Sequence, residues 1–127
     1  MKRNDLIYPE LCYEIVGVLY DVFNVVGSGH RESIYQKSLE MAFKEKNIKY
    51  EAQVYAPVMY KEKVVGKNYL DFLVDDKIVL EIKKDTIFRK AFIDQVYTYL
   101  KANKLKLGII ANFTREGVRF KRIVNLD

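Results

Sequence analysis

Apolar residues along this chain change their spacing several times, and each change marks an element. Behind Pro9, whose fixed φ suits a first helical position, Leu11, Ile15, Leu19, Val22 and Val26 recur at helical intervals, which predicts a helix over about residues 9 to 26. Gly27-Ser28-Gly29 stops it. A second helix starts there, carries Tyr35, Leu39, Ala42 and Phe43 as its apolar stripe, and ends near Asn47. The period then drops to two: Tyr50, Ala52, Val54, Ala56 and Val58 alternate with mostly polar neighbours, as in a half-buried strand, and Pro57 points to a sheet edge or a bulge near its end.

Lys61-Glu62-Lys63 reads as a turn, and strands over about 64 to 74 and 77 to 83 follow, joined tightly at Asp75-Asp76. Helical spacing returns in Phe88, Phe92, Val96, Tyr99 and Leu100, predicting a helix from Phe88 to Asn103. Leu105-Lys106-Leu107-Gly108-Ile109-Ile110-Ala111 reads as a buried strand, and Val118 to Val124 is a candidate last one. The order ααβββαβ, with or without that eighth element, defines an α/β chain. No repeat, low-complexity tract or long linker interrupts it, and residues 1–127 are expected to form a single domain.

Composition narrows the function classes. Cys12 is the only cysteine and falls within the first helical pattern, which leaves no disulfide framework and no cysteine-based zinc site. His30 is the only histidine, so a histidine-rich metal site is excluded and a Ser-His-Asp triad would lack a nucleophile motif; the residue reads as part of a loop near a pocket mouth. Met1-Lys2-Arg3-Asn4-Asp5 leads into no signal-like apolar stretch and no run approaches membrane-spanning length, so the expected setting is soluble, reducing and cytoplasmic, with no membrane partner. Lys and Arg total 22 against 17 acidic residues, a formal charge of +5, which favours a polyanionic partner such as nucleic acid through counterion release, although surface lysines serve solvation equally well.

Three charges set into two apolar strands carry the candidate chemistry. Asp71 lies in Tyr69-Leu70-Asp71-Phe72-Leu73-Val74, and Glu81 and Lys83 lie in Ile78-Val79-Leu80-Glu81-Ile82-Lys83. An ionised carboxylate in an apolar setting costs on the order of several kcal/mol unless a partner compensates. Glu81 and Lys83 project to one side with Val79 because side chains alternate along a strand. A three-residue loop over 75 to 77 puts Asp71 directly opposite Glu81, whereas a two-residue loop would pair it with Leu80 on the wrong face. Two facing carboxylates suit a hard divalent cation such as magnesium, whose remaining positions go to water and substrate phosphate. Lys83 could then orient or deprotonate the attacking water and steady charge on phosphorus. The alternative is an internal salt-bridge network, or charges at strand ends in water.

Two further constellations accompany them. In Gly29-His30-Arg31-Glu32-Ser33-Ile34-Tyr35, Glu32 shares the stripe of Tyr35, Leu39 and Ala42, so its carboxylate is expected to lean toward the interior as a third acidic group, or else to complement the helix dipole. Gln95 and Tyr99 stand one helical turn apart on the face of Phe92 and Val96: the amide can serve a metal-bound water or phosphate and the phenol a nucleic-acid backbone, or the glutamine is satisfied by main chain. Lys84, Arg89 and Lys90 either guide phosphates or form a solvated helix start.

Gly29-x-x-Glu32-x-x-Tyr35 resembles the signature of the GxxExxY proteins, and Asp71 followed by Glu81-x-Lys83 resembles the core of the PD-(D/E)xK nuclease superfamily to which they are assigned. Gln95-x-x-x-Tyr99 is similar to the QxxxY motif of the RecB-like and lambda-exonuclease-like branches, and the resemblance runs from about Val16 to Val124, with Leu70 where the superfamily label has proline. It implies a restriction-endonuclease-like αβββαβ core, a mixed central sheet flanked by helices. It further implies magnesium-dependent phosphodiester cleavage; the substrate is not supplied by the resemblance, and the expectation of nucleic acid, above all DNA, with manganese able to substitute, rests on the site residues. Asp71 and Glu81 would be metal ligands, Glu32 an additional acidic ligand, Lys83 the catalytic lysine, and Gln95 and Tyr99 supporting residues. So small a domain has few extra elements to grip a duplex, and a homodimer or another partner is the expected source of the rest. The competing reading is a non-catalytic nucleic-acid-binding or assembly module that keeps the fold.

Overall fold

A computed structural model of the chain describes residues 7–127; Met1 to Leu6, and with them the reading of the first residues as carrying no signal-like stretch, lie outside the described residues. Helix α1 (Pro9–Val26) opens with proline at a position where a helix has no carbonyl to receive an N–H. It buries Cys12, Ile15, Val18, Leu19 and Val22 and stops where Gly27 takes φ 77° and donates its N–H to Phe23 O at 2.8 Å. Helix α2 (Glu32–Glu45) buries Tyr35, Leu39 and Phe43. It ends two residues before the expected Asn47, which adopts a left-handed φ of 56° and turns the chain toward the sheet.

Strands β1 (Tyr50–Tyr60), β2 (Lys63–Val74), β3 (Ile78–Lys83), β4 (Leu107–Thr114) and β5 (Gly117–Val124) form one mixed sheet in the order β1-β2-β3-β4-β5. Every neighbouring pair is antiparallel except β3 and β4, which helix α3 (Lys90–Ala102) connects as a crossover. Helix α3 starts two residues later than the periodicity predicts, because Arg89 is extended and offers its carbonyl to the N–H groups of Phe92 and Ile93. The candidate last strand is β5.

The core lies on both sheet faces. On one, α1 and α2 cover Phe72, Val74, Ile78, Leu80, Ile82 and their β4 neighbours; on the other, Val96 and Leu100 of α3 cover Leu70, Val79, Ile110 and Ile123. Each such side chain contributes roughly 1.5–3 kcal/mol of apolar burial. Helix α3 approaches β4 closely at Gly108, where an added Cβ would stand 2.5 Å from Val96 Cγ1. Pro57 sits on β1, an edge strand whose register shifts between Val58 and Met59, as a residue without an N–H requires.

Between β2 and β3 the loop has three residues. Val74 pairs with Ile78, Asp75 and Asp76 take φ 52° and 56°, and Lys77 N–H closes on Val74 O at 2.9 Å. Pairing then continues only through Leu73 with Val79 and Phe72 with Leu80. Beyond that point β3 stays paired with β4 as far as Lys83 and Asn112, whereas β2 continues with β1 alone. The sheet therefore forks, and the residues at its vertex are Asp71 and Glu81.

Candidate active site

At the fork the two carboxylates replace the missing ladder. Asp71 N–H donates to Glu81 Oε1 at 2.9 Å, and Ile82 N–H donates to Asp71 Oδ2 at 2.7 Å, so each side chain satisfies a backbone donor on the opposite strand. The three-residue loop delivers the register that brings them together. Asp71 is loosened on its other flank as well: Gln53, between the paired Ala52 and Val54, takes φ 54° and leaves the β1–β2 ladder at Asp71's level. Across this irregularity the facing pattern flips, with Ala52 and Phe72 packed on the α1–α2 side and Val54 and Leu70 on the α3 side.

Glu81 is 5% exposed. Burial, and after it the neighbouring Asp71 charge, push its carboxyl up to about 8; the Asp71 N–H and Lys83 act in the opposite direction. Lys83 Nζ lies 3.8 Å from Glu81 Oε2 and 3.8 Å from the centroid of the Phe92 ring on α3, which holds the ammonium half-buried by ion pairing and cation–π attraction. So raised a carboxyl holds its proton more readily than an ordinary glutamate. A divalent cation displacing that proton suits this donor chemistry, since magnesium accepts one or two protein carboxylates and completes its shell with water and phosphate. Among the described residues no three His, Cys, Asp or Glu side chains are gathered closely enough to hold an ion, so the carboxylate pair is the protein's main offering.

Glu32 opens α2 and stands exposed, so the inward lean its helical phase implied is only partly met: the first residue of a helix lies a full turn ahead of the one that buries Tyr35. Its carboxyl nevertheless senses the site. Partial burial raises its pKa, Lys83 lowers it and Asp71 raises it again. The loop before it is fixed by Tyr35, whose hydroxyl donates to Gly27 O at 2.7 Å and whose ring stacks on Phe113 at 4.1 Å. Gly29 has φ 89°, and His30 Nε2 meets Val26 O at 2.7 Å, tying that residue into the loop.

Gln95 and Tyr99 lie on α3, the helix whose Phe92 meets Lys83. With Thr98 they border a cleft of about 580 Å³ between α3 and Ala56, Pro57 and Asn68 of the outer hairpin. Burial, and after it Glu51, raise the Tyr99 pKa. Arg89 is engaged by Asp85 at 3.0 and 3.2 Å and Lys90 by Asp94 at 2.6 Å, the solvated-start alternative for these cations.

Sequence reasoning passed over three residues at the site. Gln53 carries no signal, because its neighbours keep the apolar alternation. Phe92 was legible only as an apolar stripe position. Asn112 did carry one, a polar residue in a strand buried throughout: it pairs with Lys83 across β3 and β4, is 1% exposed, and donates from Nδ2 to Ile87 O at 2.9 Å. That bond anchors the segment leading into α3.

The fold and this site define a nuclease-like α/β domain. A family model of the PD-(D/E)XK nuclease superfamily matches residues 9–123, and the chain belongs to that superfamily, whose members generally use divalent metal ions. The crystal structure of SSO0001 is similar at 25% identity and a TM-score of 0.55, over 75% of this chain and 51% of that one, so the chain spans about half the length of SSO0001. An alkaline exonuclease from Laribacter hongkongensis shares the fold at 11% identity and a TM-score of 0.51, over 94% of this chain and 71% of that one. Among curated proteins, none matches the sequence. No helix among the described residues is long and apolar enough to cross a membrane.

Proposed function

We propose that this protein is a metal-dependent nuclease that hydrolyses phosphodiester bonds in DNA. One observation carries the reading: Asp71 and Glu81 meet where β2 parts from β3, with Lys83 beside Glu81. Asp71 and Glu81 would hold the cation, magnesium or manganese in its place, and Glu32, exposed at the start of α2 and not gathered with them, would add negative charge nearby. Bound there, the ion supplies Lewis-acid polarisation of the phosphate and a water of lowered pKa. Lys83 orients that water and steadies negative charge developing on phosphorus, from a position fixed by Glu81 and the Phe92 ring. Gln95 and Tyr99 support the nucleic-acid backbone, and the net charge of +5 favours a polyanion.

Single-stranded, duplex and branched DNA, with RNA alongside, incubated with magnesium or manganese, test the reading. Cutting of DNA that disappears in Asp71→Asn is expected; absence of cutting by folded protein on every substrate sinks it.

A second reading, a binding or assembly module that keeps the fold, draws on the carboxylate pair standing without a third close acidic ligand among the described residues. Titration calorimetry separates the two. A nuclease binds magnesium and loses it in Asp71→Asn, whereas a module of the second kind needs no ion.

A further inference from the structure

The outer hairpin leaves aromatic surface exposed beside the fork. Tyr55 and Tyr69 are cross-strand partners with ring centroids 5.5 Å apart, and they are 44% and 50% exposed. Their neighbours Val54, Ala56 and Leu70 are buried against α3, so alternation sends both tyrosine rings to the other face, while Tyr55 also borders the cleft against α3. That is the face of α2, whose cover on β1 includes Tyr50 and Ala52 but not Tyr55. Tyr69 precedes Asp71 by two residues, about 7 Å along a strand.

The pair has basic company. Lys67 pairs with Pro57 at the next position on the same face, and between Tyr55 and Tyr69 the chain carries Lys61, Lys63 and Lys67 against Glu62 alone. Solvated aromatic rings on the face of Lys67, with Tyr69 two residues along its strand from Asp71, match one ligand chemistry: unpaired nucleotides, whose bases stack on the rings while the backbone meets the lysine. In a closed duplex the base faces are not available to such rings.

We propose that Tyr55 and Tyr69 form a base-stacking platform that holds a single-stranded segment of the substrate next to Asp71 and Glu81. This rests on the nuclease reading and narrows its substrate to single strands or frayed ends.

Fluorescence anisotropy with labelled oligonucleotides in EDTA measures binding without cleavage. Single-stranded DNA is expected to bind more tightly than blunt duplex of the same length. Tyr55→Ala and Tyr69→Ala each weaken single-strand binding about tenfold, the size of one lost base–aromatic stack, while Tyr69→Phe retains it. Lys67→Ala weakens binding and reduces its salt dependence. Circular dichroism melts establish that the variants fold. Equal binding by Tyr69→Ala and the parent protein, a preference for blunt duplex, or no nucleic-acid binding at all overturns the proposal. So does a concentration-dependent dimer in sedimentation that the same alanines abolish, which would assign the rings to a second copy of the chain. Tyrosine-dependent binding without cutting under any metal defeats the nuclease reading and leaves the platform standing. Cutting that is indifferent to the tyrosines does the reverse.

Discussion

Glu81 shows most directly how one residue couples folding to the site. Its carboxyl rises from the usual 4.5 to about 8 in the folded chain, through burial and the nearby Asp71 charge. Below the usual value both folded and unfolded states hold the proton, and the contribution to stability is fully present. As pH climbs from there toward about 8 the unfolded chain ionises first, so this contribution is progressively lost, and above about 8 the loss levels off. Melts of the metal-free protein across that window should therefore show a falling Tm that Glu81→Gln flattens; an unchanged slope in the variant removes Glu81 as its cause. Lys83→Ala should lower kcat by about 10² to 10³ while preserving the fold, the span expected when a preorganised group that stabilises developing charge is removed. Steady-state kinetics on a cleaved oligonucleotide checks this, and a variant as active as the parent contradicts the role.

At the scale of elements, helix α3 and strand β4 depend on a missing side chain. Gly108→Ala places a methyl 2.5 Å from Val96 Cγ1, and overpacking of this kind costs about 1–3 kcal/mol. A denaturant titration should find that loss, and part of it should return when Val96→Ala is added. Tyr35→Phe should cost about 1 kcal/mol, because Gly27 O loses its donor and the loop leading to Glu32 loses an anchor. Much of this architecture was readable before any coordinates. Pro9 and Gly27 bound α1 where the periodicity ends, the period-2 run gave β1, and the turn at Asp75-Asp76 set off β2 and β3, because these signals are local. The facing of Asp71 and Glu81 was readable as one of two registers, and only the loop geometry chooses between them. Long-range features were hidden. Gln53's positive φ and the flip of faces around it arise from the divergence of two strands, and the cleft that Gln95 and Tyr99 border arises from where α3 crosses the sheet.

Across the whole molecule, the proposed ion site would link stability to ion binding. A cation that binds the folded carboxylate pair and not the unfolded chain raises Tm by mass action, about 2.7 kcal/mol at a concentration one hundred times its Kd. Calorimetric scans with and without magnesium should show that rise in the parent protein and none in Asp71→Asn. A rise of equal size in the variant would assign the ion elsewhere. The turn over Asp75 to Lys77 reaches further than its surface location suggests. Its exposed polar side chains can be exchanged with little effect on packing, but its length acts as a ruler for everything downstream. Inserting a single residue there, with the turn keeping its three-residue form, would slide Leu80 into the position opposite Asp71 and aim Glu81 at the wrong layer, disarming the molecule from a distance while leaving every acidic side chain in the chain. Length at this turn, more than residue identity, is the quantity that any redesign of the protein has to respect.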